Sequence, residues 1–171
     1  MILYVLRHGI AVELGTPGFE KDAMRTLTPE GRRKLRQVTK AMHAMDVVFD
    51  RIISSPYLRA METAELVAAS FKNGPKVESS KTLTPAGTPS QVVEMLHRLV
   101  PAPGSVLVVG HEPNLSSLVS VLVGGHYNAC VVFKKGGLCR LCIDPLSPRP
   151  KASIEWLLTP KQMAAIASGR R

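Results

Sequence analysis

Ile2-Leu3-Tyr4-Val5-Leu6 runs without a polar residue straight into Arg7-His8-Gly9. A short, unbroken apolar run of this kind reads as a strand buried on both faces, as in a parallel sheet covered by helices. Beyond it lies a polar loop with Gly15, Pro17 and Gly18, and then Thr28-Pro29-Glu30 announces a helix. Thr28 is placed to cap, Pro29 fits the first turn, and an acid follows. Leu35, Val38, Met42 and Met45 recur at helical spacing, with Arg32, Arg33, Lys34, Arg36 and Lys40 on the rest of the surface.

The alternation continues along the chain. A strand is expected over 51–54, and a helix opening at Ser55-Pro56 and closing near Asn73-Gly74. A weak strand covers 76–78, a helix 90–99, a strong central strand 105–109 and a helix 114–123. The last third changes character, with strands expected over 129–133, 137–143 and 152–158. Short turns at 134–136 and 145–150 join them, and Thr159-Pro160 starts a short C-terminal helix. The fold class is therefore α/β, a three-layer α/β/α sandwich with a mainly parallel central sheet and antiparallel strands at its edge. With no repeat and no long linker, 1–171 is expected to form one domain, its core about 1–160.

The chain has 171 residues and 22 Lys plus Arg against 13 Asp plus Glu, a net charge of +9. At 45% hydrophobic and 20% charged it is neither disordered nor collagen-like. Its opening residues lack a basic leader and a cleavage site, and no apolar run reaches the ~18–20 residues of a membrane helix. Three cysteines, an odd count, fit a reducing cytosol and a cytoplasmic protein. The positive charge points to anions, either nucleic acid or bound anionic groups. Aromatics at 5% leave few stacking platforms for single strands, so no nucleic-acid partner is expected.

Ligands in such sheets bind beyond the carboxyl ends of the strands. There the sequence places Arg7-His8-Gly9, then Ser54-Ser55-Pro56-Tyr57-Leu58-Arg59, then Gly110-His111-Glu112-Pro113-Asn114. Two arginines and two histidines thus converge on one rim. Guanidinium forks match phosphoryl oxygens and neutralise them. A neutral imidazole is a competent nucleophile near pH 7. Gly9 permits close backbone approach beside His8 and can set a carbonyl against its other ring nitrogen. His111 precedes a helix N-terminus, which favours an anion.

Other features carry less. Cys139 and Cys142, three apart on a strand, face opposite sides and make neither a zinc nor a redox pair. His43 and His97 fall on helices and His126 in a turn, all read as exposed or satisfied. Glu62, one turn from Arg59, either orients it or is a solvated helix charge. Arg32-Arg33-Lys34-x-Arg36 reads as a solvated helix face.

Leu6-Arg7-His8-Gly9, Ser54-Ser55-Pro56-x-x-Arg59-Ala60-x-x-Thr63-Ala64 and Val109-Gly110-His111-x-Pro113-x-Leu115 together resemble the histidine phosphatase superfamily. The short length and Ile154-Glu155-Trp156-Leu157-Leu158-x-Pro160 are similar to its SixA-type phosphohistidine phosphatase branch. The resemblance implies a phosphoglycerate mutase-like fold without a cap domain. It also implies a ping-pong reaction in which His8 is phosphorylated while Arg7, Arg59 and His111 clamp the phosphoryl oxygens, with no metal and no cofactor. Asp22-Ala23-Met24-Arg25 resembles an Asp-x-x-Arg element of that branch. Either Arg25 is a further anion contact with Asp22 orienting it or relaying a proton, or the two form a loop ion pair. Ile10, where the branch often carries an acid, is a departure.

Larger members of the superfamily use a carboxylate to protonate the leaving group, and the corresponding stretch here, 81–89, contains no acid. Expelling an alkoxide without a proton is hard, whereas an imidazole leaves a phosphoramidate far more readily. The expected substrate is therefore a phosphohistidine-bearing protein, a histidine phosphotransfer domain or similar, in signalling. A phosphate or sulfate ion is an expected occupant of the pocket. The alternatives are a small-molecule phosphomonoesterase of the same superfamily and a non-catalytic phosphohistidine-binding module.

Overall fold

All six residues of the strand Ser105–Gly110 are buried, and that uniform burial marks the middle of the sheet. The computed structural model describes residues 1–126, 131–144 and 151–169. In chain order the elements are β1 (Ile2–Arg7), α1 (Pro29–Ala44), β2 (Arg51–Ser54), α2 (Leu58–Ser70), β3 (Val77–Ser79), α3 (Pro89–His97), β4 (Ser105–Gly110), α4 (Asn114–Gly124), β5 (Leu138–Asp144), β6 (Lys151–Leu158) and α5 (Pro160–Ala167). Short 3-10 turns occupy Asp22–Met24 and Lys81–Leu83.

The six strands lie in the order β3-β2-β4-β1-β5-β6. Pairings among β3, β2, β4 and β1 are parallel, and β5 and β6 add antiparallel at one side. Alternate strand residues serve the two faces. Leu3, Val5, Val106 and Val108 pack with Leu96 of α3 and Leu115, Leu118 and Leu122 of α4. Tyr4, Leu6, Leu107 and Val109 pack with Val38 and Met42 of α1, Ala64 and Val67 of α2 and Met163 of α5. This is the three-layer α/β/α sandwich.

Three helices begin at a Thr-Pro pair. Thr28 accepts from the Gly31 N–H, while Thr88 with Gln91 and Thr159 with Gln162 form capping boxes. Proline occupies the first turn in each, where its missing N–H has no intrahelical partner to lose.

The structure departs from the sequence reading in several places. Residues 131–133 lie outside any strand, and the rest of the expected 129–133 strand falls outside the described residues. Both edges of β1 are already taken, by β4 and β5. The Phe133 carbonyl instead accepts from Arg7 Nη1 at 2.6 Å, and its ring fills the core. The expected turn over 145–150 lies outside the described residues. α2 starts at Leu58 rather than at Ser55-Pro56, and it ends at Ser70, before Asn73-Gly74, because Phe71 turns extended. Among the described residues no helix is long and apolar enough to cross a membrane.

Leu107 is fully buried in β4 between β1 and β2. Leu107→Ala is expected to cost about 2–5 kcal/mol, read as a lower urea midpoint with an unchanged slope.

Candidate active site

The parallel registers bring three strand ends level. Arg7 stands opposite Gly110 and Ser54 opposite Val109, and the ladder continues one residue further into the loops. His8 N–H donates to the Gly110 carbonyl at 3.1 Å, and Ser55 N–H to the Val109 carbonyl at 2.9 Å. His8 and His111 therefore share one rim, their ring centroids 4.8 Å apart. Arg59, in the first turn of α2, brings its Nε to 3.3 Å from His8 Nε2. Arg7, His8, Arg59 and His111, expected to converge, are brought together.

The surroundings of His8 settle its tautomer. Arginine can only donate, so the bond from Arg59 Nε requires an unprotonated Nε2. The proton then sits on Nδ1, which donates to the Gly9 carbonyl at 2.7 Å. Gly9 is held so close to the core that a Cβ there would lie 2.7 Å from Leu35 Cδ1. Its N–H donates to Thr63 Oγ1 at 3.1 Å, and the Thr63 hydroxyl donates to the Arg59 carbonyl at 2.6 Å. One buried threonine thus ties the loop of His8 to the helix of Arg59.

His111 Nε2 lies 2.9 Å from Ser55 Oγ, which accepts from the Tyr57 N–H. The Ser55 hydroxyl can donate to Nε2, and in that tautomer the ring proton sits on Nδ1. That nitrogen is buried and, like Arg7 Nε, has no hydrogen-bond partner among the described residues. Two buried donors of this kind are what an anion's oxygens would satisfy.

Burial is the main reason that both imidazoles stay neutral. It pushes His8 down to about 3, opposed by the Gly9 carbonyl and aided by Arg59, Arg7 and Lys135. His111 falls to about 2, first from burial, then from its neighbour His8 and from Arg59 and Arg7, against the opposing influence of Asp22. The positive charge of the rim therefore comes from guanidinium and ammonium groups, not from imidazolium.

Asp22 and Arg25 enter the same network. Asp22 Oδ1 accepts from Arg25 at 2.7 Å and Oδ2 from Arg59 at 2.9 Å, and the Asp22 carbonyl takes a third bond from Arg59 at 2.6 Å. Burial acts to raise the Asp22 pKa, but the bonds from Arg25 and Arg59 hold it below the usual carboxylate range. Arg25 also donates to the Val12 carbonyl at 2.6 Å.

Other residues matter that the sequence reading left without roles, chiefly Ser55, Thr63 and the Phe133 carbonyl. Polar residues packed against strand-end histidines are the signal for the first two; no local pattern marks a carbonyl. Glu112 faces Arg7 electrostatically, opposing the lowering of the Arg7 pKa by burial, and its Oε2 accepts from Ser116 at 2.6 Å. Glu62 does not touch Arg59. It accepts from Thr26, from the Leu27 N–H and from Arg32, each at 2.6 Å, bracing the segment before α1. Cys139 is buried and Cys142 exposed, on opposite faces of β5. Among the described residues no group of three or more His, Cys, Asp or Glu side chains is arranged to hold a metal ion.

Comparison with known proteins follows the same residues. A family model described as histidine phosphatase superfamily (branch 1) matches residues 3–86. An uncharacterized protein of Picosynechococcus is 33% identical over 82% of this chain and 84% of its own length. Phosphohistidine phosphatase SixA of Escherichia coli is 31% identical over 73% of this chain and 76% of its own. Among solved structures, protein histidine phosphatase SixA complexed with tungstate superposes with a TM-score of 0.80 at 25% identity. That match covers 94% of this chain and 98% of the other. A glucosyl-3-phosphoglycerate phosphatase of a mycobacterium, at 15% identity and a TM-score of 0.68, shares the fold, over 92% of this chain and 99% of the other.

The folded pKa values of both histidines lie below their ordinary 6.5. Their contribution to stability is therefore present above about pH 6.5 and is lost as pH falls toward 3. Nitrogen NMR of the rings should show His8 neutral near pH 5, with its proton on Nδ1; an imidazolium there would contradict the geometry.

Proposed function

The chain belongs to the histidine phosphatase superfamily, and on that premise we propose that it is a protein phosphohistidine phosphatase with His8 as nucleophile. The observation that carries this reading is the unprotonated Nε2 of His8, fixed beside buried guanidinium donors. A substrate phosphoryl group in line with Nε2 would take the Arg59 Nε–H from the lone pair onto one of its oxygens, with Arg7 Nε–H and His111 Nδ1–H as further donors. The last two are the buried donors without hydrogen-bond partners among the described residues.

Nε2 donates its electron pair to phosphorus as the substrate P–N bond breaks. That bond's electrons return to the departing imidazole, which keeps the proton on its second nitrogen and leaves neutral. Water then attacks phosphorus, phosphate departs with the water's oxygen, and His8 regains its lone pair on Nε2. Charge on the equatorial oxygens is met by fixed cations, which need no reorganisation during the reaction. No metal enters this scheme.

Asp22 in this reading holds Arg59 and Arg25 and does not donate a proton, since its two guanidinium partners keep it ionised. Residues 81–89 supply no carboxyl group. The Asn114 amide pins that stretch by donating to the Thr82 and Thr84 carbonyls at 2.8 and 3.2 Å. A leaving group that needs no added proton fits such a site better than an alkoxide. The buried free thiol of Cys139 accords with a reducing, cytoplasmic setting, where phosphotransfer signalling operates.

Incubation with phosphoramidate followed by rapid quenching should give an acid-labile, alkali-stable label on the wild type and none on His8→Ala. Arg59→Ala should lower kcat/KM by roughly 10²–10³, the loss typical of one donor to a developing anion. Alkyl phosphate esters turned over as fast as phosphoramidates, or a label that survives on His8→Ala, would overturn the reading.

A further inference from the structure

A groove of about 960 Å³ opens beside the rim, between α1, the 134–136 turn and α5. Arg7 stands at one side of it, so the groove and the phosphoryl site share a residue. Arg33, Lys34, Lys134, Lys135 and Lys161 also line it, which makes six cations, and no acid is among the lining residues. Among the described residues Lys134, Lys135 and Lys161 form no ion pair. Lys34 reaches Glu30 at 2.8 Å on an exposed helix surface, where such pairs contribute little.

The groove is tied rigidly to the site. Gly136 N–H lies 3.0 Å from both the Arg7 and the His8 carbonyl, and Arg7 N–H donates to the Gly137 carbonyl at 3.1 Å. Lys134 and Lys135 are thereby held at a fixed offset from His8. One phosphoryl group, already faced by Arg7, Arg59 and His111, does not require five further cations. Like charges gathered around one concavity focus the field and draw in a complementary surface. The lining holds no aromatic side chain on which bases could stack, which disfavours a nucleic-acid strand.

The geometry points to this groove as the docking surface for an acidic face of the phosphohistidine-bearing protein, an inference that rests on the function proposed above. The substrate's phosphohistidine enters past Arg7 while carboxylates flanking it on the same protein lie along the lysines. Selectivity among phosphohistidine proteins then follows from the acidity of the surface around the histidine, and the groove acts mainly on the association rate.

The double variant Arg33→Glu/Lys161→Glu changes two exposed side chains that touch neither histidine nor the Asp22 network. Its kcat/KM is measured with phosphoramidate and with an acidic histidine phosphotransfer domain phosphorylated chemically on its histidine. The expected result is a loss of roughly tenfold or more with the protein substrate at low salt, and less than about twofold with phosphoramidate. The difference should vanish near 1 M salt, where the Debye length is about 3 Å. An unchanged value for the phosphoprotein overturns the groove and leaves the function standing. An equal fall with both substrates also overturns it, since the change then acts on the site itself. Tight binding of oligo-dT that the double variant abolishes, with phosphoprotein turnover unmoved, assigns the groove to nucleic acid. A wild type that hydrolyses neither donor removes the function and the groove with it.

Discussion

A single N–H, donated by Arg59 to the Nε2 of His8, decides which ring nitrogen keeps its lone pair. Everything around it serves that bond. The Gly9 carbonyl accepts from Nδ1, and a Cβ at Gly9 would lie 2.7 Å from Leu35 Cδ1, so any larger residue there would push that leucine aside. Asp22 grips the far side of the Arg59 guanidinium, and Thr63 links the Arg59 backbone to Gly9. Were the tautomer reversed, the guanidinium would face an N–H, two donors would meet in a buried site, and the nucleophilic pair would point at a carbonyl. The cost of a buried unpaired polar group, about 1–3 kcal/mol, is set against that arrangement.

Neutral imidazoles follow from the same confinement. His8 and His111 lie 4.8 Å apart, so two imidazoliums would repel one another as well as lose their hydration. Burial removes that conflict by keeping both uncharged, and the positive charge rests with the guanidiniums of Arg7 and Arg59. On the proposed function, a phosphoryl group arriving at this rim would meet the two guanidiniums and, in His8, a nucleophile whose Nε2 carries no proton.

Much of this was legible in the chain. Uninterrupted apolar runs at 2–6 and 106–109 identify central strands because both faces of each are covered, and Arg7, His8 and His111 follow at their ends. Thr-Pro pairs mark helix starts because capping is local chemistry, although Pro89 reads as loop until the Gln91 partner of Thr88 is seen. The apolar 131–133 stretch misleads for a tertiary reason: a short apolar run fits a strand, but here the Phe133 ring fills the core and its carbonyl accepts from Arg7. Glu62 likewise has two helical readings, and only the fold shows that it braces Thr26, Leu27 and Arg32. The pairing of Thr63 with Gly9, 54 residues away in sequence, is invisible to any window along the chain.

The cations that suit the rim to the proposed phosphoryl site also set limits on its chemistry. A general acid for an alkoxide must hold its proton near neutral pH, which requires an environment that raises a carboxyl pKa. Asp22 shows what this rim does instead: contact with two guanidiniums draws its pKa down despite partial burial. A carboxyl group introduced into the 84–89 loop within reach of Arg7 or Arg59 would meet the same field and stay ionised until a phosphoryl dianion offset it. On the proposed function, an acid added there would hold its proton only with a phosphoryl group bound, while the Arg59 N–H keeps the Nε2 of His8 unprotonated beforehand.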